Sequence, residues 1–289
     1  MPIKRKGSVT VVGTGYLVAG QVTPEALVSM KTAKKLFYLV GDPATAHWVE
    51  TLNPTAETLA NSFRDGRNRA ESYNEIVERV IKTVRKGVRV TLAFYGHPGV
   101  FVDPSHEVVR RARAEGFHAT MLPGISAEDC LFADLGVDPG QDGCQSYEAT
   151  DFLLRRRKFD PRSPLILWQV GCIGVATYRT QDIWSRAGLR LLTEVLCRTY
   201  PAKHQVVIYE ASEYPVCRPV TETVPLSELA EARVSIISTL FVPPRELART
   251  DRKMLARLGH RAGRGNSAMQ HGGSGRLDCE PGPRVRSRR

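Results

Sequence analysis

Val88-Arg89-Val90-Thr91-Leu92-Ala93-Phe94 runs directly into Tyr95-Gly96-His97-Pro98-Gly99-Val100-Phe101. The first segment alternates and then becomes continuously apolar, the pattern of a strand buried in a sheet. The second holds two glycines, a proline and aromatic residues, so the strand ends in a loop whose backbone can approach a bound molecule closely. Tyr95, Val100 and Phe101 offer apolar surface there, whereas His97 alone reads equally well as a hydrogen-bonded structural residue. Comparable runs lie at Ser8 to Val12, Leu36 to Val40 and His118 to Leu122, each separated from the next by a helical pattern. This alternation implies a mostly parallel sheet. In such sheets ligands sit beyond the carboxyl ends of the strands, which is where the Tyr95 loop falls.

Further turns adjoin these strands. Gly13-Thr14-Gly15-Tyr16-Leu17-Val18-Ala19-Gly20 resembles a dinucleotide-binding turn leading toward Asp42, but Val18 stands where that fingerprint has its third glycine. A tight turn that places a substrate-facing loop therefore competes with a phosphate cradle. In Leu122-Pro123-Gly124-Ile125-Ser126-Ala127-Glu128-Asp129, Ser126 reads either as a helix N-cap with acids in the first turn or as a ligand contact. Asn68 and Glu71 resemble a capping box, opening a helix whose stripe is Tyr73, Ile76, Val77, Val80, Ile81 and Val84. Arg69 then falls in the first turn, against the helix dipole, and shares a face with Tyr73. A local rule broken in this way flags function, although Tyr73 also reads as the first core residue of the stripe.

A second block carries strand candidates Leu165 to Val170, Val206 to Tyr209 and Val234 to Val242. Between them lies a helix from Asp182 to Cys197 with the stripe Ile183, Leu189, Leu192 and Leu196. The parse is an N-terminal α/β lobe over 1–122, a C-terminal α/β lobe over 123–244, a short helical extension over 245–259 and a disordered basic tail over 260–289.

Composition narrows the function classes. The chain has 289 residues, 42% hydrophobic and 25% charged, which excludes collagen-like, mucin-like and wholly disordered proteins. Its net charge of +11 invites a nucleic-acid reading until the charge is located. Residues 245–289 hold twelve Lys and Arg against four acids, so +8 of the charge lies there and only +3 on the rest. No nucleic-acid partner is expected. No apolar run approaches the roughly 18 residues of a membrane span, and no export signal opens the chain, so no membrane partner and a cytoplasmic location are expected. The six cysteines form no C-x-x-C pair and have no His at zinc-finger spacing, so no metal site is expected.

Taken together, VVGTG, YGHPGVF, PGISAEDCLFADLG, QSYEATDFLLRRR, LILWQVG, VVIYEA and ISTLFVPP occur in the order and spacing of the tetrapyrrole-methylase fold. More narrowly, over about residues 7–258, the chain resembles the borosin-type peptide backbone α-N-methyltransferases. The resemblance implies a two-lobed class III methyltransferase fold with a mostly parallel N-terminal sheet, S-adenosylmethionine held between the lobes, and a homodimer. Carried over by position, it implies cofactor contacts at Tyr95, His97, Val100, Phe101, Ser126, Ala127, Gln169, Ala211, Ser238 and Thr239. It implies catalytic roles for Arg69 and Tyr73, and it places a further family tyrosine on Phe63, where this chain departs.

The chemistry explains such groups. An amide nitrogen is a poor nucleophile because its lone pair is delocalised, so alkylation requires proton loss or a shift toward the imidate. Tyr73, helped by Tyr95, is the candidate base, and Arg69 would stabilise charge building on the amide oxygen. Two alternatives stand beside this reading: C-methylation of a tetrapyrrole precursor, or a catalytically weak peptide-binding subunit. Fused members of the family carry the methylated segment at their own C-terminus, as an apolar, β-branched stretch. Residues 260–289 have only scattered apolar residues and many arginines, so a split enzyme with a precursor peptide supplied in trans is expected.

Overall fold

The computed structural model describes residues 6–179 and 185–259. The first sheet contains β1 (Ser8–Gly13), β2 (Lys35–Leu39), β3 (Ala56–Thr58), β4 (Arg89–Phe94) and β5 (His118–Met121). Their order is β3-β2-β4-β1-β5, and every neighbouring pair is parallel. The connecting helices are α1 (Pro24–Thr32), α2 (Pro43–Leu52), α3 (Arg69–Arg85) and α4 (Asp103–Ala114). Helices cover both faces, which is why these strands read as apolar runs. Val9, Val11 and Leu92 pack with Ile76, Val80 and Val84 of α3 and Val108 of α4. On the opposite face Val12, Leu36, Tyr38 and Ala93 pack with Ala26 and Met30 of α1 and Val49 of α2. Each fully buried aliphatic side chain contributes about 1.5–3 kcal/mol.

The helix starts follow from capping chemistry. Thr23 accepts from the Ala26 N–H ahead of α1, and Asp42 from the Thr45 N–H ahead of α2, each followed by a proline at the first helical position. Asn68 caps α3 by accepting from the Ala70 N–H at 2.9 Å. The expected capping box with Glu71 gives way to an ion pair, because the Glu71 carboxylate accepts from Arg67 Nε at 3.4 Å. Tyr73 stands outside the core that the rest of its stripe builds.

The second sheet contains β6 (Gln145–Glu148), β7 (Leu165–Trp168), β8 (Gln205–Glu210), β9 (Val220–Pro225) and β10 (Thr239–Val242). Its order is β6-β7-β10-β8-β9; β6 and β7 are parallel and the other pairs antiparallel. With it come α5 (Ala127–Leu135), the short α6 (Pro139–Asp142), α7 (Ala149–Leu154) and α8 (Arg186–Leu196). Leu131 of α5 packs on Ile166, Trp168, Val207 and Tyr209. Leu189, Leu192 and Leu196 of α8 pack on Leu165, Leu167, Val206 and Ile208 from the other side.

Several boundaries differ from the sequence reading. The strand from Leu165 stops at Trp168, because Gln169 adopts φ 58° and a 3-10 turn follows over Val170–Cys172. The candidate from Val234 shortens to β10, because Ser235 and Ser238 bond to each other in a turn. The α8 helix begins after its cap Ser185, and Ile183 lies outside the described residues. Three strands went unread. β3 has three residues, β6 four, and β9 is a mostly exposed edge strand with no apolar alternation.

All of this belongs to one unit that ends at Leu247; a second unit begins at Ala248 and contains α9 (Arg252–Arg257), capped by Asp251. The basic tail, residues 260–289, lies outside the described residues. No helix among the described residues is long and apolar enough to cross a membrane.

Candidate active site

The carboxyl ends of β1, β2 and β4 meet those of β7 and β8 around a cavity of about 720 Å³. β10 runs opposite to its neighbours, so its amino end, Thr239, reaches the same wall. Two glycine loops close the first sheet's side. Gly96 N donates to Gly15 O at 2.9 Å and Gly15 N to Gly96 O at 3.3 Å. A Cβ on Gly13 would fall 2.2 Å from Gly96 O, so this glycine permits one loop to lie on the other. The next helix opens only at Pro24, so the turn is not a helix N-terminus that could cradle a phosphate.

Of the residues implied by resemblance, Arg69, Tyr73, Tyr95, His97, Val100, Phe101, Ser126, Ala127, Gln169, Ala211 and Thr239 line this cavity. Ser238 does not. It is fully buried, and its hydroxyl accepts from Ser235 N at 2.7 Å and donates to Glu210, so it braces a carboxylate that does face the cavity. His97 has a structural bond as well, because its Nδ1 accepts from Gly99 N at 2.9 Å. Ser126 caps α5 through a reciprocal box with Asp129 while also lining the wall. Phe101 and Gln169 hold φ of 55° and 58°, strain of about 1–3 kcal/mol each that clusters at the wall. The Phe101 ring rests on Trp168 at 5.5 Å, linking the two sheets' loops.

Arg69 is fixed by its backbone. Its N–H donates to Ala176 O at 3.1 Å, Tyr178 N donates to Arg67 O at 2.8 Å, and Gly66 N to Tyr178 O at 2.9 Å. Its guanidinium donates to Cys172 Sγ at 3.6 Å and makes no salt bridge among the described residues. Burial pushes the Tyr73 phenol above its ordinary range, with nearby Arg69 pulling the other way. Tyr95, 40% exposed into the cavity, is likewise raised by desolvation and by Tyr73 beside it, again opposed by Arg69. Both are therefore neutral phenols near pH 7.

Sequence reasoning missed a polar group on the same wall. Asp42 was noted only as a dinucleotide-type acid, and Glu210 and Glu213 not at all, yet the three carboxylates share the cavity. Burial, with Asp42 and Glu210 nearby, raises the Glu213 carboxyl. Thr45 Oγ1 is buried on this wall without a hydrogen-bond partner among the described residues. The placement of acids just after β2 and at the end of β8 was the available signal. Cys172 and Tyr178 carried none, because their neighbours are distant in sequence.

Known proteins with similar sequences and folds bear on this geometry. Residues 8–225 match the tetrapyrrole (corrin/porphyrin) methylases. A methyltransferase/ribosomally synthesized cyclic peptide precursor of gymnopeptides from Gymnopus fusipes is 43% identical over 88% of this chain and 61% of its own length. The corresponding omphalotin A precursor protein of Omphalotus olearius is 42% identical over 88% of this chain and 62% of its own. The chain thus spans about six-tenths of the length of these relatives. Among solved structures, uroporphyrin-III-C-methyltransferase from Thermus thermophilus superposes with a TM-score of 0.58 at 18% identity, over 86% of this chain and 99% of the other. A structure of that enzyme with S-adenosylhomocysteine gives a TM-score of 0.56 at 20% identity, over 82% and 92% of the two chains. These structures share the fold, and with the sequence match running from β1 to β9 the chain belongs to the tetrapyrrole (corrin/porphyrin) methylase family.

Proposed function

We propose that this protein is a borosin-type methyltransferase that transfers methyl groups from S-adenosylmethionine to backbone amide nitrogens of a ribosomally made peptide. The observation that carries the reading is that Arg69, Tyr73 and Tyr95 line one cavity with three carboxylates and aromatic surface. Identity above 40% with proteins named as methyltransferase and cyclic-peptide precursor fusions supports it.

The residues present fit the cofactor. Crowded Asp42, Glu210 and Glu213 suit a ligand carrying an ammonium and a sulfonium, and the unpartnered Thr45 hydroxyl awaits a polar atom. Tyr95 and Phe101 supply π faces that favour a cation. When bound, S-adenosylmethionine supplies an electrophilic methyl group. Arg69 would hold an amide oxygen and stabilise the negative charge that develops as the nitrogen gains nucleophilicity, an effect of about 3–4 kcal/mol for a well-placed donor. Tyr73 accepts the amide proton in its phenolate form, and Tyr95 shares that proton. Holding the nitrogen in line with the methyl group supplies much of the remaining rate.

The peptide is supplied in trans to a homodimer in this reading. Residues 260–289 carry scattered apolar residues and many arginines and are not themselves read as the methylated segment. The test is mass spectrometry of a synthetic peptide bearing the omphalotin A sequence after incubation with the protein and S-adenosylmethionine. Methyl increments on backbone fragments are expected on the peptide and none on the protein expressed alone. Increments within residues 260–289 would overturn the trans assignment.

A further inference from the structure

Three rings lie in a row at the cavity. Phe63 meets Tyr73 edge-on with centroids 6.0 Å apart, and meets Tyr178 at 5.3 Å on its other contact. All three line the cavity, as does Arg69. Phe63 has no polar atom, so the flanking phenols are the row's hydrogen-bonding groups. Tyr178 is half-buried, and its hydroxyl has no partner among the described residues. The hydroxyl is not enclosed, so it is open to a partner that enters the cavity.

The backbone shows that Tyr178 is placed and not merely nearby. Gly66 and Arg67 exchange two hydrogen bonds with Tyr178, Asn68 bridges to Thr177, and Arg69 donates to Ala176. The segment bearing Tyr178 is therefore registered, residue by residue, on the loop that delivers Arg69. Any shift of one carries the other.

We propose that Tyr178 is a substrate-contacting residue, whose hydroxyl donates a hydrogen bond to a backbone carbonyl of the bound peptide and so seats the amide between Arg69 and Tyr73. The proposal rests on the reading of this cavity as a peptide methylation site. A backbone carbonyl is the acceptor every peptide offers whatever its side chains, which suits a site that acts on backbone amides. Phe63 and Tyr73 then form the apolar floor on which the chain lies.

The test is Tyr178→Phe, which keeps the ring against Phe63 and removes only the hydroxyl. With the synthetic omphalotin A peptide as probe, kcat/KM for the peptide should fall about tenfold, mostly through KM, the size expected for one lost hydrogen bond. Affinity for S-adenosylhomocysteine and the melting temperature should match the wild type. Unchanged peptide kinetics would overturn the proposal, and so would a parallel loss of cofactor affinity and thermal stability, which marks a structural role. If the wild-type protein itself fails to methylate the probe, the peptide reading falls and this proposal with it. Wild-type activity with an unaffected variant removes the proposal alone.

Discussion

The two sheets reach one cavity by different geometries. In the first, all five strands are parallel, so the loops after β1, β2 and β4 arrive at one edge together, and the start of α3 stands beside them. In the second, only β6 and β7 are parallel, and β10 contributes through its amino end because it runs backward between β7 and β8. Their contributions differ too. The first half presents Arg69, Tyr73 and Tyr95; the second presents Trp168 and Tyr178, a strained turn at Gln169 and the carboxylates Glu213 and the braced Glu210. Under the proposed function Arg69 and Tyr73 act on the amide, whereas Glu210 and Glu213 join Asp42, Tyr95 and Phe101 of the first half in holding the cationic cofactor, so single substitutions can separate the two roles.

The sharpest way to break that division is Arg69→Ala. If Arg69 acts on the amide oxygen as proposed, its removal should lower single-turnover methylation about 100- to 1000-fold while cofactor affinity, followed by calorimetry, stays within about twofold. Equal loss of cofactor binding would mean that Arg69 holds the cofactor as well.

Next in size is Tyr73→Phe, expected to slow the reaction roughly 100-fold. Because burial raises the Tyr73 phenol, its reactive phenolate is a small fraction at neutral pH and grows about tenfold per pH unit until the pKa is passed. The wild-type rate should therefore climb from pH 7 to beyond pH 10, roughly the ordinary phenol value. The Phe variant should lose that slope. A flat wild-type profile would remove Tyr73 as the base and leave it a hydrogen-bond donor.

The smallest effect belongs to the second sheet. Glu210→Gln keeps an oxygen for Ser235 and Ser238 but removes the charge. Cofactor affinity should weaken about tenfold, with the rate at saturating cofactor nearly unchanged. A drop in the saturated rate as large as that of Tyr73→Phe would show that the two roles are not separable.

The contrast between sheets also explains what could be read in advance. Ser8 to Val12 and Val88 to Phe94 were legible because a strand covered on both faces must be apolar throughout. β9 was not, since Val220–Pro225 lies at an exposed edge where polar residues serve equally well. Arg69 announced itself by breaking a helix-dipole rule, and Tyr95 by its glycine-flanked strand end. Ser238 was assigned to the cofactor by position, whereas its side chain turns to Glu210.

What the sequence determined by itself is whatever a local pattern must satisfy: the parallel β/α half, the capped helix starts, and the glycine loops that ligand-binding sheets place at their strand ends. Only the tertiary structure decided that Cys172 stands 3.6 Å from Arg69, 103 residues away, and that Tyr178 lies against Phe63. It also brought Glu210 and Glu213 beside Asp42. The physical reason is that helix and strand periodicity record which face of an element is buried, while the meeting of two faces depends on the crossing of loops whose pairing leaves no repeat in the chain.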